Sequence, residues 1–144
     1  MNATTTYAID IAKNVMQLHW VEPSTGEIMR KKLSRAKFGE FVGQLLPARI
    51  VMEACGGAHH WGRSLMALGH QVELLPARQV RAFVRGNKDD AADARAIWLA
   101  AHQSDIRLCD GWLERGSCSR THHLAHGPAL RYGAGIQRSE RRRV

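Results

Sequence analysis

The sequence predicts an α/β domain, a mixed sheet flanked by helices, on three observations. Three strand-like runs follow one another near the N-terminus, short apolar runs then alternate with helical periodicities, and glycine, proline or serine punctuates the junctions. Consecutive strands joined by tight turns favour an antiparallel meander, whereas strands separated by helices favour parallel neighbours.

The elements follow in order. Thr5–Ile11 and Met16–Glu22 read as strands joined by a turn at Ala12–Val15. Pro23-Ser24-Thr25-Gly26 is a second turn, after which Glu27–Leu33 returns as a third strand. Ser34 is a candidate N-cap for a helix carrying Phe38, Phe41, Val42, Leu45 and Leu46 at helical spacing. Ile50-Val51-Met52 after Pro47 reads as a buried strand, and Trp61, Leu65, Met66 and Leu68 mark a second helix stopped by Gly69. Val72–Leu75 is a further strand ended by Pro76, Ala77–Val84 a short helix, and Asp89–Ala101 a last helix rich in alanine. The order β-β-β-α-β-α-β-α is that of ribonuclease-H-like nucleases, though the order alone does not single them out.

Charge and composition narrow the class further. A net charge of +8 in 144 residues favours a polyanionic partner such as nucleic acid, although a basic protein without one fits the same number. No run of about 18 uncharged apolar residues is present, which excludes a transmembrane helix. The segment MNATTTYAID lacks the basic and apolar regions of a signal peptide, and three cysteines without CxxC spacing suggest neither a disulfide framework nor a zinc site, so a reducing cytoplasm fits best.

The composition changes at Leu108. Residues 1–108 hold 14 Lys+Arg against 10 Asp+Glu and all five lysines, whereas residues 109–144 hold seven arginines against three acids. The second part has five glycines, few large aliphatics and no sustained period, so a poorly structured tail is expected there. It reads either as an arginine-rich nucleic-acid arm or as out-of-frame translation after a frameshift, and the absence of lysine favours the second.

Four carboxylates carry the candidate chemistry. Asp10 sits in a strand pattern among apolar neighbours, where a carboxylate is costly unless paired or bound to a cation. Glu53 ends the apolar run at Ile50–Met52, at a strand terminus where ligand sites of α/β sheets gather. Asp90 and Asp93 lie three apart and share one face of the last helix. Converging acids on three elements would repel one another without divalent cations, and Mg²⁺ suits such a cluster because it prefers oxygen ligands and retains waters. Each residue also has a plainer explanation. Asp90 and Asp93 favour the dipole of a helix N-terminus, and Glu53 could pair with Arg49 or Arg63.

Four segments raise this above pattern. AIDIAKN at 8–14, VMEACGGAHHW at 51–61, LLPARQVRAFVRGNKDDAADARAIW at 74–98 and SDIR at 104–107 resemble, in order, the N-terminal domain of the insertion-sequence-110 transposase family, the DEDD transposases guided by a bridge RNA. The resemblance covers about residues 5–108. It implies a RuvC-like, ribonuclease-H-type domain, residues 1–108, that works on DNA with Mg²⁺. Asp10 matches the acid of the first strand, with Lys13 after it; Glu53 matches the acid of an E-x-x-G motif completed by Gly56. Asp90 and Asp93 match the pair in K-x-D-x-x-D-A, with Lys88 and Ala94 in place, whereas Asp89 stands where the family more often has threonine. Lys13, Arg81, Arg85 and Lys88 look like phosphate contacts, with a solvated basic face as the plain alternative. His59 and His60 beside Trp61 fall at an aromatic-rich helix start and read as packing or capping rather than ligation.

The resemblance further implies what full-length members have: a second domain with a nucleophilic serine, a guide RNA and association of subunits. Ser117, Ser119 and Ser139 have no matching context. The expectation is therefore a DEDD site on a truncated or frameshifted chain, incomplete for transposition alone; the alternative is a non-catalytic fragment that retains affinity for guide RNA or DNA. A sugar-kinase-like ATPase of related fold is weak, because AIDIAKN offers no glycine after the aspartate.

Overall fold

The computed structural model describes residues 4–86, 90–109 and 112, without the side chains of Asp90 and Ala91. Lys88 and most of the expected tail lie outside the described residues. The elements are β1 (Thr6–Ile11), β2 (Val15–Val21), β3 (Ile28–Ser34), α1 (Arg35–Gln44), β4 (Arg49–Glu53), α2 (Gly56–Ala67), β5 (Gln71–Leu75), α3 (Ala77–Arg81) and α4 (Asp90–Ala101). They form one five-stranded sheet in the order β3-β2-β1-β4-β5. The β1–β2–β3 meander is antiparallel, and β4 and β5 add in parallel beside β1. The α/β class with a mixed sheet is as the sequence predicts.

Strand alternation sorts the core into two layers. On one face Ile9, Leu18, Leu33, Ile50, Met52, Val72 and Leu74 pack with Phe38 and Val42 of α1 and Leu65 of α2. On the other, Ala8, Val51 and Leu75 pack against Val80 of α3 and Ala96, Ile97 and Ala100 of α4. Because neighbours two apart share a face, Asp10 stands with Ala8, and Glu53 with Val51, on the α4 side.

Local chemistry explains the boundaries. The Ser34 side chain accepts from the Lys37 N–H at 3.4 Å and starts α1. That helix stops at Gln44, earlier than the apolar spacing suggested, and Leu46 is 85% exposed. Pro47 disfavours helical backbone in the residue before it, so Leu46 leaves the helix instead of entering the core. His70 then ties the α1–β4 connection down. Its Nδ1 accepts from the Ala48 N–H at 3.2 Å, so Nε2 carries the proton and donates to the Val42 carbonyl at 3.0 Å.

The core continues past Leu108. The Cys109 N–H donates to the Leu74 carbonyl at 2.8 Å, and Trp112 is 1% exposed within the α1/α2-side core. Trp112 lies over Gly62 of α2, where an added Cβ would stand 2.6 Å from the indole.

Candidate metal and nucleic-acid site

Asp10 and Glu53 come together through strand register. In the parallel β1–β4 pair Thr6 is opposite Arg49, Tyr7 opposite Ile50, Ala8 opposite Val51 and Ile9 opposite Met52. Asp10 and Glu53 are the next residue on each strand, just past the last paired positions. The two carboxylates are thus rooted on adjacent strands, about 5 Å apart, on the face that α4 covers. Both are half-buried.

The direction of α4 brings its acids to the same end. Arg49 begins β4, and its Nη2 donates to the Ala101 carbonyl, the last residue of α4, at 3.1 Å. The helix therefore ends where β4 begins and runs antiparallel to it. From Ala101 back to Asp93 is about 12 Å at ~1.5 Å per helical residue, and from Arg49 to Glu53 about 13 Å at ~3.3 Å per strand residue. By these rises Asp93 lies about as far from Arg49 as Glu53 does, yet its side chain is not brought close enough to Asp10 and Glu53 for the three to share one ion. Asp93 is half-buried. Among the described side chains, which do not include that of Asp90, no three His, Cys, Asp or Glu stand close enough to hold one metal ion.

The same end of the sheet collects other functional candidates. Gly57, at the first turn of α2, lies so close to β1 that an added Cβ would stand 3.2 Å from Ile11 Cγ2. The helix after Glu53 thus packs beside the first strand at Gly57, whereas Gly56, the glycine of the E-x-x-G motif, has open space where a Cβ would stand. Cys55 caps that helix, its sulfur accepting from the Ala58 N–H at 3.4 Å. Lys13 is exposed in the β1–β2 turn, and its carbonyl accepts from Arg35 Nη1 at 3.5 Å. Arg81 ends α3, and Arg85 follows it; both are exposed.

Two expectations on side-chain pairing resolve differently. Arg49 pairs with Glu73, not Glu53, through Nη2–Oε2 at 2.6 Å and Nε–Oε2 at 3.0 Å. His59 is 7% exposed, packs against Trp112 with ring centroids 6.0 Å apart, and is shifted toward the neutral form by burial and then by Arg63. That is a packing role, as the sequence suggested.

Sequence reasoning missed a histidine and three cations. His19 on β2 is opposite Ala8 and so faces α4; it is 3% exposed, and its Nδ1 has no hydrogen-bond partner among the described residues. Burial, then the guanidinium of Arg30 on β3, then that of Arg95 on α4 push its pKa down to about 4. Lys32 lies opposite Gln17, which is itself opposite Asp10. The alternation in IMRKKLS was the available signal, but a basic edge strand reads equally as a solvated one.

No family model matches the chain. Two curated relatives cover most of it: a probable family 20 transposase of Pseudomonas aeruginosa, 43% identical over 99 residues, and the transposase for insertion sequence element IS1111A of Coxiella burnetii, 38% identical over 103 residues. These alignments take in 69% and 72% of this chain but 29% and 28% of the relatives, so the chain spans less than a third of the length of the proteins it matches. Among solved structures, T. thermophilus RuvC in complex with a Holliday junction substrate superposes with a TM-score of 0.53 at 13% identity, covering 74% of this chain and 99% of that one. Over its aligned region the chain belongs to the insertion-sequence-110 family of transposases, and its fold is RuvC-like.

Proposed function

We propose that this domain holds divalent cations, Mg²⁺ by preference, among Asp10, Glu53, Asp90 and Asp93, and serves DNA cleavage and strand transfer in transposition. What supports the reading is the parallel β1–β4 register, after whose last paired residues, Ile9 and Met52, Asp10 and Glu53 follow on the α4 face of adjacent strands. An all-oxygen donor set fits a hard cation. Bound Mg²⁺ would neutralise the carboxylates and stabilise the attacking and leaving oxygens of a phosphodiester.

The chain's own residues have defined tasks in this reading. Asp10 and Glu53, fixed on the central strands, hold the rigid half of the site. Asp93 and Asp90 close it from α4, so a small shift of that helix sets the gap between the halves. Lys13, Arg81, Arg85 and Lys88 hold phosphates around it. The full activity belongs with further parts of the longer relatives, and guide-RNA binding, subunit association and a cytoplasmic location are proposed on the family resemblance. Among the described residues no helix is long and apolar enough to cross a membrane.

Thermal melting of the full chain with and without Mg²⁺ tests the site. The melting temperature should rise by several degrees at millimolar Mg²⁺, and the rise should vanish in Asp10→Ala and Glu53→Ala. An equal rise in wild type and both variants would overturn the assignment. No rise in any of them, with DNA affinity intact, would favour a non-catalytic nucleic-acid-binding fragment.

A further inference from the structure

A carboxylate cluster repels a phosphodiester, so a strand delivered to it needs cations close by to offset that repulsion. Register supplies them on the outer strands. One row across the sheet reads Asp10, Gln17, Lys32, and the next reads Ala8, His19, Arg30. All six residues share the α4 face, because residues opposite one another in register point the same way. The helix packs over β1, β2 and β4, and Arg30 and Lys32 remain exposed beside it. Arg95, on α4 two residues after Asp93, lies one helical turn from Trp98, whose ring is 5.8 Å from that of His19, so helical spacing sets Arg95 on the side of α4 that faces β2. Arg30, Lys32 and Arg95 have no ion-pair partner among the described residues.

We propose that Lys32, Arg30 and Arg95 form a phosphodiester track that leads a single DNA strand along the open β3 side of the sheet to Asp10. This rests on the transposase reading of the carboxylates. Because α4 already covers β2, the open strip beside the helix is the edge strand β3, one strand spacing or roughly 5 Å wide, which suits one strand and not a duplex. At its inner edge His19 is buried under α4, its Nδ1 without a partner among the described residues and its ring tilted against Trp98 at 5.8 Å between centroids. Among the described residues the three cations have no ion-pair partner, and a phosphate would supply the counter-charge. Contacts of this type position a strand without reading its sequence.

The test is binding of a labelled single-stranded oligodeoxynucleotide of mixed sequence to the full chain, followed by fluorescence anisotropy in EDTA across a salt series. Arg30→Gln/Lys32→Gln should weaken binding roughly tenfold, and the slope of log affinity against log salt should become shallower by about 1.4, the value for two lost single-strand contacts. Arg95→Gln should weaken it further. The control Lys37→Glu/Arg63→Glu, on the α1 and α2 side, should change affinity less than about threefold. Equal losses in the track and control variants, or none in the track variants, would overturn the proposal. So would loss of affinity for an RNA of the same sequence while that for DNA is retained. Asp10→Ala should bind DNA no more weakly than wild type in EDTA, because it removes a repelling charge. A failed Mg²⁺ response would thus overturn the metal reading while leaving this result standing.

Discussion

Arg49 holds the last carbonyl of α4, that of Ala101, at 3.1 Å while its other contacts grip Glu73 on β5. One guanidinium therefore joins β4, β5 and α4 at the end of the sheet remote from the carboxylates. It fixes where the C-terminal end of α4 lies on the sheet.

Arg49→Met leaves Glu73, only 8% exposed, without its ion-pair partner. Stability should fall by about 3 kcal/mol, because an uncompensated buried carboxylate is costly. Arg49→Met/Glu73→Leu should recover most of that loss. Urea unfolding measures both. The Mg²⁺-induced rise in melting temperature should be reduced in both variants if the Arg49–Ala101 contact sets the register of α4.

Gly62 and Trp112 form a second dependent pair. Gly→Ala within a helix ordinarily stabilises by about 1 kcal/mol. Here the new methyl would stand 2.6 Å from the indole, so Gly62→Ala should destabilise instead. Trp112→Ala should cost about 3–5 kcal/mol through the cavity it leaves. In the double variant the two costs should not add, and a thermodynamic cycle by denaturant unfolding reads the coupling. Strict additivity would show that Trp112 does not sit over Gly62.

His19 gives a pH dependence of defined sign. Its folded pKa, about 4, lies below the model-peptide value of 6.5. The unfolded chain thus binds the proton more readily, and the stability that neutral His19 contributes is present above pH 6.5 and lost as pH falls toward 4. The loss is at most about 3 kcal/mol. His19→Gln should flatten the fall in melting temperature between those two pH values. An unchanged pH profile in the variant would show that His19 is not held neutral.

Asp10 and Glu53 stand on adjacent strands about 5 Å apart. Asp10→Asn should leave the metal-free melting temperature no lower than that of wild type, since repulsion between the carboxylates is relieved. It should abolish the Mg²⁺ response. Calorimetric unfolding in EDTA and in Mg²⁺ separates the two effects, and a large metal-free loss would mean that Asp10 is chiefly a structural acceptor.

Most of the elements were legible because their signals are local. Alternation gave the strands, Ser34 and Pro76 marked junctions, and the four motif segments named the candidate acids in order. The stop of α1 before Leu46 was legible too, from Pro47, but apolar spacing pointed the other way. Trp112 was not legible as core, because its partner Gly62 is fifty residues earlier and neither residue signals the other.

The sequence by itself determined the alternation of strands and helices, the family of the aligned region and which carboxylates are candidates. Those follow from side-chain period, capping chemistry and motif words, all of which are written along the chain. Only the tertiary structure decided that β1 lies between β2 and β4, that Asp10 and Glu53 stand on adjacent strands, and that α4 runs back along them. It also decided that Arg30, Lys32 and Arg95 share a face with Asp10. Pairing between strands depends on contacts distant in sequence, and a shift of one residue would have turned each of these side chains to the opposite face.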